Sequence, residues 1–306
     1  MSDLLLECPT FSLPKIIMNK FILLILLFFS IIDTTEAQTI DFSQLKNPPK
    51  SDTIAKKILE TAQYVVTYDY KYAKDAAYPD TKREGLTVLQ VGERYNRFCD
   101  YYELQFDSLI DVTAKEKLPI TQTGPMMLSV MKKKQFRESI IIDKQKDKET
   151  IQRTAGLKQK YQYSEDCPKL EWELLEGDST IAGYKCNKAK TTLFGRTYTA
   201  WYAPEVNMPY GPYKFNGLPG LIFKVVDTQD NFIFTLVGLE KATTSTPIYF
   251  WTKSDIIKTS REKVRKIYKN YCADPVGALT SDGTIKVDAE TRASVNSKPY
   301  NPIELE

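Results

Sequence analysis

The run "AQYVVTYDYKYAKD" constrains this chain more than any other stretch, because Val66, Tyr68, Tyr70 and Tyr72 fall on alternate positions. Side chains of a strand alternate between two faces, so a period of two puts all four on one face of a sheet. "DAAYPDTKREG" breaks the run with Pro79 and Gly85, and "LTVLQVGERYNRFCDYYELQF" resumes it, giving a long hairpin. The pattern returns in "ESIIIDKQ", "TIQRTAGLKQKYQYSED", "KLEWELLE", "TIAGYKCNKAKTTLF", "GRTYTAWYAPE" and "TPIYFWTK". "LIFKVVDTQDNFIFTLVGLEKA" reads as a hairpin about Gln229-Asp230-Asn231, and "GDS" at Gly177 as the turn after "KLEWELLE". Residues 107–133 read as short helices or turns, with a loop at Pro119 and Gly124.

One further helix follows residue 259. Thr259 and Glu262 fit a capping box, and Val264, Ile267, Tyr268 and Tyr271 recur at helical spacing on one face. Lysines and arginines crowd the remainder of that helix, as on a solvated face. The run "VNSKPYNPIELE" is extended and broken by proline. The expected fold class is mainly β, a β-rich α+β domain: a curved antiparallel sheet or open half-barrel with one or a few helices.

Residues 1–37 stand apart from this domain. "MNKFILLILLFFSIIDTTEA", Met18 to Ala37, joins a basic start at Lys20 to an apolar run of 12 residues, Phe21 to Ile32, and then to Thr35 and Ala37. That is the layout of a secretory signal peptide, with cleavage near Ala37, and it is too short to span a bilayer. Residues 1–17 read as an upstream extension and residues 38–306 as a single domain with no transmembrane segment. The protein is expected to be exported, periplasmic or secreted.

Without the two lysines and four acids of residues 1–37, 40 basic and 35 acidic side chains remain, a net charge of +5. The charges are interleaved, which is not the footprint of a nucleic-acid binder. Cys99, Cys167, Cys186 and Cys272 form an even set in an exported chain, and two disulfides are expected. Cys167 and Cys186 lie nine or ten residues either side of Gly177, which suggests a cross-strand pair and leaves Cys99 for Cys272. Their spacing fits no zinc pattern, so neither a metal nor another cofactor is expected. The chain has no histidine, which excludes Ser-His-Asp and Cys-His relays. Catalysis would have to rest on carboxylates or lysine, and the acids show no paired arrangement, so no catalytic residue is assigned.

Residues 216–222, "NGLPGLI", form the most distinctive stretch. Pro219 sets φ for the second position of a β-turn and Gly220 supplies positive φ at the third, so Leu218–Leu221 reads as a type II turn that launches a buried strand. A phosphate-cradling loop is excluded, because no Lys-Ser/Thr pair is present and a strand follows where a helix is needed. "YKFNGLPGLIFKV", preceded by "GRTYTAWYAPE" and "YGP", resembles the signature segment of the GLPGLI family of exported bacterial proteins, and "YNPIEL" is similar to that family's ending. The resemblance implies a secreted or periplasmic protein of Bacteroidetes type and no defined activity. It marks Trp201, Tyr202, Gly211, Pro212, Gly217, Leu218, Pro219 and Gly220 as the positions to examine for ligand binding. The strand order is also similar to the open half-barrel of envelope lipoprotein carriers.

Three functions follow as expectations. The first is an envelope protein without catalytic activity that holds a hydrophobic ligand, lipid or peptide on the curved sheet; the 36 aromatic side chains motivate it. The second is an interaction partner of an outer-membrane protein complex, bound through an aromatic edge or the "MPYGP" loop. The third is a histidine-free carboxylate hydrolase.

Overall fold

A computed structural model describes residues 53–155, 159–243, 246–253, 255–280 and 286–306. The expected signal peptide and its cleavage site near Ala37 lie outside the described residues. In chain order the elements are β1 (Lys56–Thr61), β2 (Tyr64–Ala73), β3 (Lys82–Val91), β4 (Tyr95–Asp100), α1 (Tyr101–Lys115), α2 (Ile120–Lys133), β5 (Glu138–Asp143) and β6 (Lys148–Thr154). There follow β7 (Lys160–Asp166), β8 (Glu173–Ile181), β9 (Tyr184–Leu193), β10 (Arg196–Ala203), β11 (Leu221–Asp227), β12 (Phe232–Lys241) and β13 (Pro247–Trp251). The series closes with β14 (Ile257–Lys258), α3 (Arg261–Ala273), α4 (Pro275–Thr280) and α5 (Ala289–Ser294).

Twelve strands make one open sheet in the order β14-β7-β6-β5-β4-β3-β2-β12-β11-β10-β9-β8, while β1 and β13 form a separate ribbon. Every pair is antiparallel except the short β14–β7 contact at one edge. The β-rich α+β class expected from the alternation is the class observed. No described helix is long and apolar enough to cross a membrane.

The alternation of β2 works as the sequence requires. Val66 and Tyr68 are wholly buried, and Tyr70 stacks on Phe234 at 4.8 Å and on Tyr72 at 5.1 Å. Phe98 meets Phe136 edge-on at 5.2 Å, and Tyr198 meets Phe215 at 4.8 Å. These inward side chains, with Ile140, Ile151, Phe223 and Val225, are the core, and fully burying each aliphatic or phenylalanine side chain contributes about 1.5–3 kcal/mol. Val264 of α3 and Ile303 join the same cluster, so helix and strap lie on the inner face. The strap, residues 298–306, is tied down along its length. Asn301 Nδ2 donates to Ala73 O (2.8 Å), Arg196 Nη2 to Pro302 O (2.9 Å), and Tyr198 Oη to Ile303 O (3.0 Å).

The outer face is covered over β3 to β7. There Arg97 Nη2 donates to Glu103 of α1 (3.2 Å), Gln90 Nε2 to Pro247 O of β13 (3.2 Å), and Gln152 Nε2 to Trp251 O (2.7 Å).

Four expectations are corrected. The strand pattern read through "CDYYELQF" ends at Asp100, whose carboxylate caps α1 by accepting from Tyr102 N at 2.8 Å. Gly124 lies inside α2, not in a loop. At α3 the cap is Ser260, one residue later than expected, accepting from Lys263 N. The turn between β8 and β9 is at Ala182-Gly183, with φ of 49° and 84°; Gly177, φ 93°, sits instead at a bulge inside β8.

That displaced turn undoes the disulfide expectation. Cys186 faces Ser179 on β8, while Cys167 follows β7 with its amide bonded to Asp147 O. Cys99 points to the outer face near Glu103 and Asp107, whereas Cys272 belongs to α3 on the inner face. All four are free thiols.

Candidate functional site

The signature segment is a long excursion between two paired strands. Ala203 of β10 faces Leu221 of β11, and residues 204–220 leave and return between them. Backbone bonds lace the excursion: Leu221 N donates to Val206 O and Ile222 N to Tyr210 O, both at 2.9 Å, and Gly217 N to Pro209 O at 3.1 Å. The expected type II turn is absent, because Leu221 N goes to Val206; Gly220 N donates to Leu218 O instead (2.8 Å), a tighter γ-turn about Pro219. Gly220 has φ 147°, and a Cβ there would stand 2.2 Å from Ala203 O. Backbone contact, not ligand approach, demands glycine here.

Of the eight signature positions, Tyr202, Gly211, Pro212, Leu218 and Gly220 are buried, Gly217 and Pro219 are exposed, and Trp201 is half-buried on the outer face. None lines the inner cavity described below. Their shared effect is to deliver Tyr213, Lys214 and Phe215 into the core, with Tyr213 held at φ 57°.

Lys214 is fully buried. Its Nζ lies 2.6 Å from carboxylate oxygens of Glu149 and of Glu165, and 3.0 Å from Glu304. Glu304 also takes Tyr213 Oη and Arg261 Nε, the latter at 2.8 Å. Burial pushes Glu149 up to about 8, Lys214 pulls against it, and the hydrogen bond shared with Glu165 pushes further up. Glu304 is held below the usual range, because Lys214 and Arg261 outweigh its burial. Burial works against the Lys214 charge too, and the carboxylates overcome it, so the ammonium form persists.

Beside this cluster lies a cavity of about 100 Å³. Tyr72, Tyr268 and Tyr271 supply aromatic walls, Glu138 and Arg153 the polar side, and residues 298–303 of the strap close it. Glu138 and Arg153 face each other across β5 and β6, and Arg153 Nη1 donates to Glu138 Oε1 at 2.6 Å. The Arg153 guanidinium also lies over the Tyr268 ring at 4.7 Å, and Arg137 at 5.8 Å. Tyr72 Oη donates to Gln135 Oε1 (3.2 Å) and Lys298 Nζ to Tyr271 Oη (2.9 Å).

Two polar atoms of this site are unspent. Glu138 Oε2 and Arg153 Nε are buried, and among the described residues neither has a hydrogen-bond partner. A buried polar group without a partner is costly, so such atoms mark where a small polar ligand could be accommodated. Burial raises the Glu138 carboxyl above its ordinary value, Arg153 opposes the rise and Glu304 adds to it. No group of three His, Cys, Asp or Glu able to hold a metal occurs among the described residues.

Sequence reasoning passed over Glu138, Arg153, Lys214 and Tyr268 as functional residues. The signal was present for the first two. In "ESIIID" and "KETIQRT" a charge stands in phase with the inward residues Ile140 and Ile151, where a surface residue does not belong.

Comparison with known proteins adds the following. Nine chains of solved structures match, among them PNGF-II in the C2 and P21 space groups. Each of these two is 13% identical with a TM-score of 0.44 over 69% of this chain, and 33% or 34% of the PNGF-II chain is covered. The chain thus spans about a third of the length of those structures. No curated protein matches. The family model described as "N-glycanase peptide, N-terminal domain" matches residues 101–260, a stretch that takes in Glu138, Arg153 and Lys214. That stretch is more than half of the 306 residues, and the chain belongs to this family.

Proposed function

We propose that this chain is an exported recognition module without catalytic activity of its own, and that it binds a single sugar residue of a glycan in the cavity between Tyr72, Glu138, Arg153 and Tyr268. The observation that carries the reading is the pair of buried, unspent atoms, Glu138 Oε2 and Arg153 Nε, set beside aromatic rings. Rings take the apolar face of a sugar, and the carboxyl and guanidinium take its hydroxyls. The N-glycanase description of the family and the GLPGLI resemblance, with its implied export, agree with a glycan-directed module of the envelope.

The dimensions count against the lipid expected from the aromatic content. The inner face of the sheet is filled by α3 and the strap, and about 100 Å³ is too little for an acyl chain. The hydrolase reading has less support. Glu149 and Glu165, the one cross-strand glutamate pair among the described residues, are engaged with Lys214 and do not line the cavity.

Calorimetric titration with monosaccharides and with a free N-linked glycan tests the proposal. Saturable heat is expected, with affinity lowered at least tenfold by Glu138→Gln combined with Tyr268→Ala. Absence of heat with every neutral and amino sugar, in a protein that is folded by circular dichroism, would sink it.

A further inference from the structure

The outer sheet face is clothed over β3 to β7, but Lys188, Lys190 and Thr192 of β9, Thr197, Thr199 and Trp201 of β10, and Lys224 and Val226 of β11 stay partly or fully exposed on that face. In that uncovered half, Trp201 sits directly opposite Lys188 on one neighbouring strand and Lys224 on the other. The two ammonium groups lie 5.6 and 5.1 Å from the indole centroid. Among the described residues neither lysine has an acidic partner, whereas nearby Lys190 meets Glu173 at 3.9 Å. Thr199 and Thr197 continue the outer row of β10, and the hydroxyls of Thr197 and Thr192 are 3.2 Å apart.

We infer that Lys188, Trp201 and Lys224 form a binding strip for an acidic polysaccharide. Adjacent strands are about 4.8 Å apart, so the two lysines stand about 9.6 Å apart across the strip, with the indole between them. Both ammonium groups lie over the indole ring, so an acidic chain running across its outer edge meets a cation on either side. The threonines beside it meet the hydroxyls of that chain. Two cations held at one ring without a carboxylate repel each other, and an anion relieves that repulsion. No large apolar side chain of β9, β10 or β11 stands exposed, as insertion into a membrane would need.

The strip and the inner cavity lie on opposite faces of the sheet, so each can fail without the other. The test is native electrophoresis of the full chain through gels carrying polygalacturonate, heparin or neutral dextran, at low salt. Retardation by an acidic polymer and not by dextran is expected. It should weaken about tenfold in Trp201→Ala and in the double variant Lys188→Gln/Lys224→Gln. It should change less than twofold in Lys263→Gln/Lys266→Gln, which removes two exposed charges from α3. The lysine double variant alters only exposed ends and keeps the fold; full retardation of that variant would overturn the inference. So would retardation by neither acidic polymer, an equal loss in the α3 variant, or capture by vesicles of anionic lipid without retardation by polysaccharide.

Discussion

Glu149 and Glu165 face each other across β6 and β7, and Lys214 Nζ lies 2.6 Å from both. Three ionisable groups thus meet at one point, with Glu304 as a fourth at 3.0 Å. Breaking a buried ion pair by removing one partner strands the other, at a cost of about 3–5 kcal/mol. Lys214→Met should therefore destabilise the fold by about that amount at pH 7 in urea denaturation. Near pH 4 the loss should shrink, because the Glu304 carboxylate, which Lys214 and Arg261 hold below its ordinary range, takes up a proton there once Lys214 is gone. An equal loss at both pH values would refute the ion-pair account.

Glu149 gives the opposite sign. Its carboxyl is raised to about 8 in the fold, against an ordinary value of 4.5, chiefly by burial. The folded state therefore binds more protons than the unfolded state between these values. The contribution of this group is full below about 4.5 and is lost as the pH climbs through 8. Glu149→Gln keeps the shape and removes the titration. At pH 8.5 the variant should melt roughly 2–4 °C above the parent, and the gap should close by pH 5. Parallel melting curves across this range would contradict the assignment.

The glycines of the signature part company under substitution. Gly220 has backbone of Ala203 and Pro204 within 3 Å of any added Cβ, while Gly217 has only Trp172 Nε1 at 3.8 Å, although its φ is 88°. Gly217→Ala should cost about 1–2 kcal/mol, the left-handed penalty alone. Gly220→Ala should cost clearly more, or abolish soluble folding. Equal losses would mean that the close approach to Ala203 is unimportant.

The thiols offer a direct check. With no disulfide formed, Cys99, Cys167, Cys186 and Cys272 should all react with an alkylating reagent in denaturant before any reductant is added. Peptide mapping by mass spectrometry reads this out. Protection of any pair until reduction would restore the expected pairing. Melting temperature should likewise be the same with and without reductant.

The sheet was legible wherever a pattern of two ran uninterrupted, as in β2 with its buried Val66, Tyr68 and Tyr70 and in the hairpin at Asp230. It failed where distant groups decide. "CDYYELQF" alternates like a strand, yet Asp100 also accepts from Gln135 N and Phe136 N at 2.8 Å, so a cap secured from 35 residues away ends the strand. Gly177 carries every mark of a turn, but the alternation of β8 continues through it as a bulge, and the pairing of cysteines inferred from it fell with it. In the signature, the burial of "LIFKVV" was readable, but the destination of Lys214 was not. Its three carboxylates come from β6, β7 and the strap, and nothing local in "YKF" points to them.

The strap has a consequence for the order of events during synthesis. Tyr213 and Glu304, partners in the buried cluster, are 91 positions apart. A ribosome adding about 5–20 residues per second needs roughly 5–18 seconds to cover that distance. Throughout that interval the nascent chain carries a lysine whose third counter-charge does not yet exist. The strap can therefore close over Lys214 only once residue 304 has been added, so this buried cluster is completed late in synthesis.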